Sequence, residues 1–163
     1  MSASLAYAEA LSAAVRVEEN GALFYRKAAA GAADPAAAAV FAKLAAMEEE
    51  HRGYFSALKL ELEQREALFL NDPKGEYAAS IKALADSGVF GLAGDPAAFF
   101  EGDRTTREAV KFAIGVEKDS VIFYLGLQEA MVDREQADKV GGIIKEELRH
   151  LAILTGLLKK IKE

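Results

Sequence analysis

The sequence predicts an all-α protein, a four-helix bundle built from two similar helix hairpins, and three observations carry that prediction. Apolar residues recur at alternating steps of three and four along most of the chain, the spacing at which one face of a helix is buried. Helix breakers divide this pattern into four long stripes. The chain also repeats itself. A shift of 99 residues lays Glu18 on Glu117, Phe24 on Phe123, Tyr25 on Tyr124, Asp34 on Asp133, Glu48 on Glu147 and His51 on His150, which is the mark of a duplicated hairpin.

The first helix is predicted over residues 3–30, with Leu11, Val15, Glu18, Ala22, Tyr25 and Ala29 on its inner stripe. It ends in "GAADP", where Asp34 is a candidate N-cap and Pro35 takes the first position of the next helix. That second helix is predicted over 35–70, its stripe running Ala37, Phe41, Leu44, Glu48, His51, Phe55, Leu58, Leu62. A segment of different composition follows, from "NDPKG" to "FFEGD", punctuated by Gly75, Gly88, Gly91, Gly94, Gly102, Pro73 and Pro96. Within it "EYAASIKALADSG" reads as a short helix closed by Gly88, and the rest reads as loop. A connection of that length can cross the whole bundle. Thr105 and Glu108 form a capping box for a third helix over 105–132, with Val110, Ile114, Glu117, Val121, Tyr124, Gln128 and Met131 facing inward. The fourth, over 135–162, carries Val140, Ile143, Glu147, His150, Leu154, Leu157 and Ile161. Its tail places Lys159, Lys160 and Lys162 where they complement the helix dipole.

Composition narrows the function. The 163 residues suit one domain spanning 1–163. With no cysteine, disulfides, thiolate metal sites and Cys-x-x-Cys electron carriers are excluded. A net charge of −6 argues against nucleic acid, whose phosphates need a basic surface. The stretch "AAAGAADPAAAAVFA" is broken by Gly31, Asp34 and Pro35, so no membrane span is expected. The first basic residue is Arg16, too late for the charged head of a secretory signal, and a cytoplasmic protein is expected.

Six stripe positions are not apolar: Glu18, Glu48, His51, Glu117, Glu147 and His150. Four inward carboxylates without partners would be forced to take up protons by desolvation and mutual repulsion. Two divalent cations would balance their four negative charges, and a mixed oxygen and nitrogen donor set suits iron or manganese. The chain has only two histidines, and both stand three residues after a glutamate of this set, so each pair shares a helix face. Tyr25 and Tyr124 follow Glu18 and Glu117 by two turns on the same face, where a phenol can either bond a carboxylate of the site or simply pack in the core. Phe24, Phe41, Phe55, Phe112 and Phe123 read as core, whereas Glu49, Glu50 and Glu146 lie off the stripes or at their edge and read as solvated.

The pairs "VEENGALFY" and "VEKDSVIFY", and "EEEH" and "EELRH", resemble the rubrerythrin branch of the ferritin-like superfamily. The resemblance spans nearly the whole chain. It implies a ferritin-like four-helix bundle with a crossover between helices two and three, and a centre of two Fe ions in which Mn or Zn can substitute. The six Glu and His residues would be its ligands, with Glu48 and Glu147 as bridges. The implied activity is reduction of hydrogen peroxide. Full-length rubrerythrins supply electrons from a cysteine-rich rubredoxin domain, so here an external electron donor is expected. Peroxide-reducing members also have a glutamate one turn beyond Glu117, where this chain has Ser120, with Gly21 as its repeat mate. The alternative is a ferritin-like iron-binding protein that oxidises, stores or delivers iron using dioxygen. A bundle merely stabilised by metal is a third reading. A homodimer is also expected, and the long connector would allow its chains to exchange a helical hairpin.

Overall fold

The computed structural model describes residues 3–64 and 96–161, together with positions 76, 79, 80 and 83. Four long helices dominate: α1 (Ala3–Gly31), α2 (Pro35–Gln64), α3 (Thr106–Ala130) and α4 (Arg134–Lys160). A 3-10 helix, Pro96–Phe100, precedes α3. The predicted extension of α2 over residues 65–70 lies outside the described residues, as does Lys162. The short helix expected over 76–88 lies mostly outside them too. At its described positions, Glu76, Ala79, Ser80 and Ala83, the backbone is helical, and the Ser80 hydroxyl donates to the Glu76 carbonyl at 2.9 Å.

The helix starts follow from the sequence signals. The Asp34 carboxylate accepts the Ala36 amide at 3.0 Å. Thr105 and Glu108 complete a reciprocal capping box, and Asp133 accepts the amides of Glu135 and Gln136, so amides that the helix leaves unpaired are satisfied. At the far end of α4, Lys159 and Lys160 occupy the last turn. Arg107 of α3 makes the direct contacts there, donating to the carbonyls of Leu158 and Ile161 at 3.3 and 3.1 Å.

The 3-10 helix is a departure, because its segment reads as loop. It brings Phe99 and Phe100 to 5.5 and 5.2 Å from the Phe24 ring, and Phe99 to 4.5 Å from Phe112. Five residues are too few to display a helical period, so only this aromatic packing reveals their role.

α1 packs along α2 and α3 along α4, while α1 meets α3 and α2 meets α4 across the hairpins. Two apolar clusters fill the bundle at different levels. One joins Leu11, Phe55, Leu58, Phe123, Tyr124, Leu127 and Val140. The other joins Phe24, Tyr25, Phe41, Leu44, Val110, Val116 and Leu154. Glu18, Glu48, His51, Glu117, Glu147 and His150 are buried as well, yet belong to neither apolar cluster. Among the described residues no helix is long and apolar enough to cross a membrane.

Candidate metal centre

One residue comes from α1 and one from α3, and a Glu-x-x-His pair comes from each of α2 and α4. All six predicted residues meet. Glu18, Glu48, His51 and Glu147 each offer a ligand atom, and these atoms lie within 4.8 Å of one another; the same holds for Glu48, Glu117, Glu147 and His150. Glu48 and Glu147 belong to both groups. None of the six is more than 5% exposed, so no bulk water screens them. The two imidazoles stack with centroids 5.7 Å apart and planes at 19°, which gathers both nitrogen donors on the side of α2 and α4.

Each histidine turns Nδ1 toward carboxylates. His51 Nδ1 is 3.0 Å from Glu147, 3.6 Å from Glu18 and 3.9 Å from Glu48. His150 Nδ1 is 3.2 Å from both Glu48 and Glu147, and 3.5 Å from Glu117. Yet Glu18 Oε2, Glu48 Oε1, both Glu147 oxygens, His51 Nδ1 and both His150 ring nitrogens are buried with no aligned hydrogen-bond partner among the described residues. Convergent lone pairs left unsatisfied in a core are costly, and cations would complete them. The donor set therefore fits a pair of divalent ions.

The electrostatics agree. Burial raises Glu48 well above the usual carboxylate range, reinforced by Glu147 and Glu18. Burial and the adjacent Glu147 do the same to Glu117. Burial opposes ionisation of Glu147 too, but its neighbours Glu117, His150 and His51 outweigh that and hold it low. Burial would lower both histidines; instead Glu147 and Glu18 push His51 up to about 11, and Glu117 and Glu147 push His150 up to about 9. Left to itself the cluster recruits protons to do what cations would do.

The tyrosines reach the site crosswise. Tyr25 donates to Glu117 Oε1 and Tyr124 donates to Glu18 Oε1, each bond joining the two hairpins. Burial, together with the carboxylates, raises both phenols well above their ordinary value, so they remain donors. Each bond occupies one oxygen of its carboxylate. The other oxygen would be available to a cation.

Glu146 corrects the sequence reading. It is not simply solvated: Oε2 accepts from His51 Nε2 at 2.8 Å, although the side chain is 39% exposed. Helical spacing gave no signal for this contact, which joins α4 to α2. Glu50 is exposed, and Glu49 pairs with Arg26 and Arg52, at 2.7 Å to each, on the surface. Ser120 is buried and lines a tight cleft with Gly21, Tyr25, Glu48 and Glu117, at the α1–α3 side of the site.

Four antiparallel helices carrying this buried carboxylate and imidazole layer define the ferritin-like class of carboxylate bundles. The chain belongs to the Rubrerythrin family, which it matches over residues 9–158. Its fold is also similar to the crystal structure of a Thermotoga maritima protein assigned to the ferritin-like diiron-carboxylate proteins, with a TM-score of 0.69, 26% identity and 94% of each chain covered. Among curated proteins none matches. Family and cluster together suggest a di-metal site.

Proposed function

We propose that the chain is a single-domain, non-haem di-iron oxidoreductase that reduces hydrogen peroxide with electrons from an external donor in the cytoplasm. The observation that carries this reading is the pair of overlapping four-residue groups sharing Glu48 and Glu147, buried away from water. Two ferrous ions there would supply two electrons together, enough to take one peroxide and two protons to two waters without releasing a one-electron oxygen radical. Glu18 and His51 would hold one ion and Glu117 and His150 the other, with Glu48 and Glu147 shared. Manganese or zinc fits the same donors.

The protein's own groups prepare that chemistry. Tyr124 and Tyr25 hold the terminal carboxylates Glu18 and Glu117 in orientation. The apolar clusters that include these two tyrosines shield the site from bulk water. Both imidazoles lie on the α2–α4 side, and the small residues Gly21 and Ser120 line the tight cleft on the opposite side of the site.

Ser120 and Gly21 favour a second reading, iron oxidation for storage or delivery, because neither supplies the additional carboxylate of peroxide-reducing relatives. Single-turnover mixing separates the two. Anaerobically reduced di-ferrous protein is mixed with equal concentrations of peroxide or dioxygen, and ferric absorbance is followed. Peroxide reoxidising it at least ~10-fold faster, a barrier difference of about 1.4 kcal/mol, supports the peroxidase. Faster reaction with dioxygen, followed by uptake of further iron, supports iron handling.

A further inference from the structure

We propose that Glu146 makes the two metal positions unequal, so that the position at His51 takes up a divalent ion first and more tightly than the position at His150. This rests on the di-metal reading above. The two hairpins are repeats, and each of the six ligand candidates has its counterpart in the other hairpin. Glu146 does not: the residue 99 positions before it is Met47.

That difference falls on the histidines. His51 Nε2 lies 2.8 Å from Glu146 Oε2, so the ring donates from Nε2 and leaves Nδ1 as the nitrogen that faces Glu18, Glu48 and Glu147. A carboxylate behind an imidazole fixes its tautomer and angle and makes the facing nitrogen a stronger donor. His150 has no such support among the described residues. Its Nε2 is fully buried with no hydrogen-bond partner among the described residues. A thioether at the repeat-equivalent place is only a weak acceptor. Glu146 also brings one more negative charge to the His51 side than Met47 brings to the other. Glu146 is thus a positioning residue, acting on the metal through His51.

The test is anaerobic titration of the full chain with Co(II), read by calorimetry and by the visible ligand-field spectrum. Wild type should bind two ions in two steps, the first ~10–100-fold tighter, the range that supporting carboxylates typically contribute to metal affinity. Glu146→Leu should weaken the first step by that factor and leave the second, and Glu146→Gln, which keeps shape and an acceptor but loses the charge, should fall between. The spectrum of the first-bound ion should shift in both variants, a change that loss of surface charge alone would not produce. Met47→Glu should tighten the second step. Two ions bound with equal affinity in wild type, or both Glu146 variants leaving the first step and its spectrum unchanged, would overturn the inference while leaving the di-metal reading standing. Binding of no ion would overturn both.

Discussion

Glu147 is the most contested side chain of the centre, since His51, His150 and Glu117 all press on its carboxylate, and it belongs to both candidate ligand groups. Removing a shared carboxylate should therefore cost both ions. Glu48→Ala is expected to take up fewer than one iron per chain, against two in wild type, by elemental analysis after anaerobic loading. Tyrosine substitutions should be gentler and one-sided. Tyr25→Phe frees Glu117 and should weaken the ion beside His150 by about 10-fold, while Tyr124→Phe should weaken the ion beside His51. Protonation acts on the whole set. Because His51 and His150 are pushed up to about 11 and about 9, a metal ion must displace their protons at neutral pH. Affinity should rise with pH between 6 and 9, and calorimetry in buffers of different ionisation enthalpy should register proton release on binding.

The helices owe their limits to local hydrogen bonds that can be tested separately from the metal. In the Thr105 capping box, two amides at the start of α3 depend on two side chains. Thr105→Ala should cost about 1 kcal/mol, lowering Tm by about 2–4 °C in a chain of this size, with metal stoichiometry unchanged. Glu50→Gln, at an exposed position of α2, should change neither quantity. All four long helices were legible because a buried face imposes its period over many turns, and Asp34, Thr105 and Asp133 marked three of their starts. The 3-10 helix and the Arg107 cap on α4 were not legible: one is too short to have a period, and the other joins residues 51 and 54 positions apart.

For the whole bundle, the buried charge layer makes stability depend on what neutralises it. Stripping the metal should lower Tm by several degrees, through lost binding energy and uncompensated repulsion. The stripped protein should also acquire its own pH dependence. Its two histidines titrate above their ordinary 6.5, so the stability they contribute is complete below that pH and drains away as pH rises through about 9 and about 11. The raised carboxylates Glu48 and Glu117 act in the same direction. Thermal melts of stripped protein should thus fall between pH 6.5 and 10 while those of loaded protein stay level. Identical melts with and without metal would contradict the placement of these groups. Sedimentation equilibrium tests the proposed homodimer, and mixing differently labelled chains tests exchange of hairpins.

The sequence by itself determined the helices, their pairing as a duplicated hairpin and the six inward ligand candidates. Those features repeat along the chain, either as a helical period or as the offset between Glu18 and Glu117 and between His51 and His150. Only the tertiary structure decided how the halves engage. The tyrosines were recognisable as neighbours of the site, but their bonds cross from Tyr25 to Glu117 and from Tyr124 to Glu18, because packing brings opposite hairpins closer than two helical turns allow within one. Glu146 sat at a stripe's edge, where helical geometry alone reads solvent. It became a histidine partner because α2 lies against that edge of α4, a contact set by the angle and depth of packing and written in no spacing along either helix.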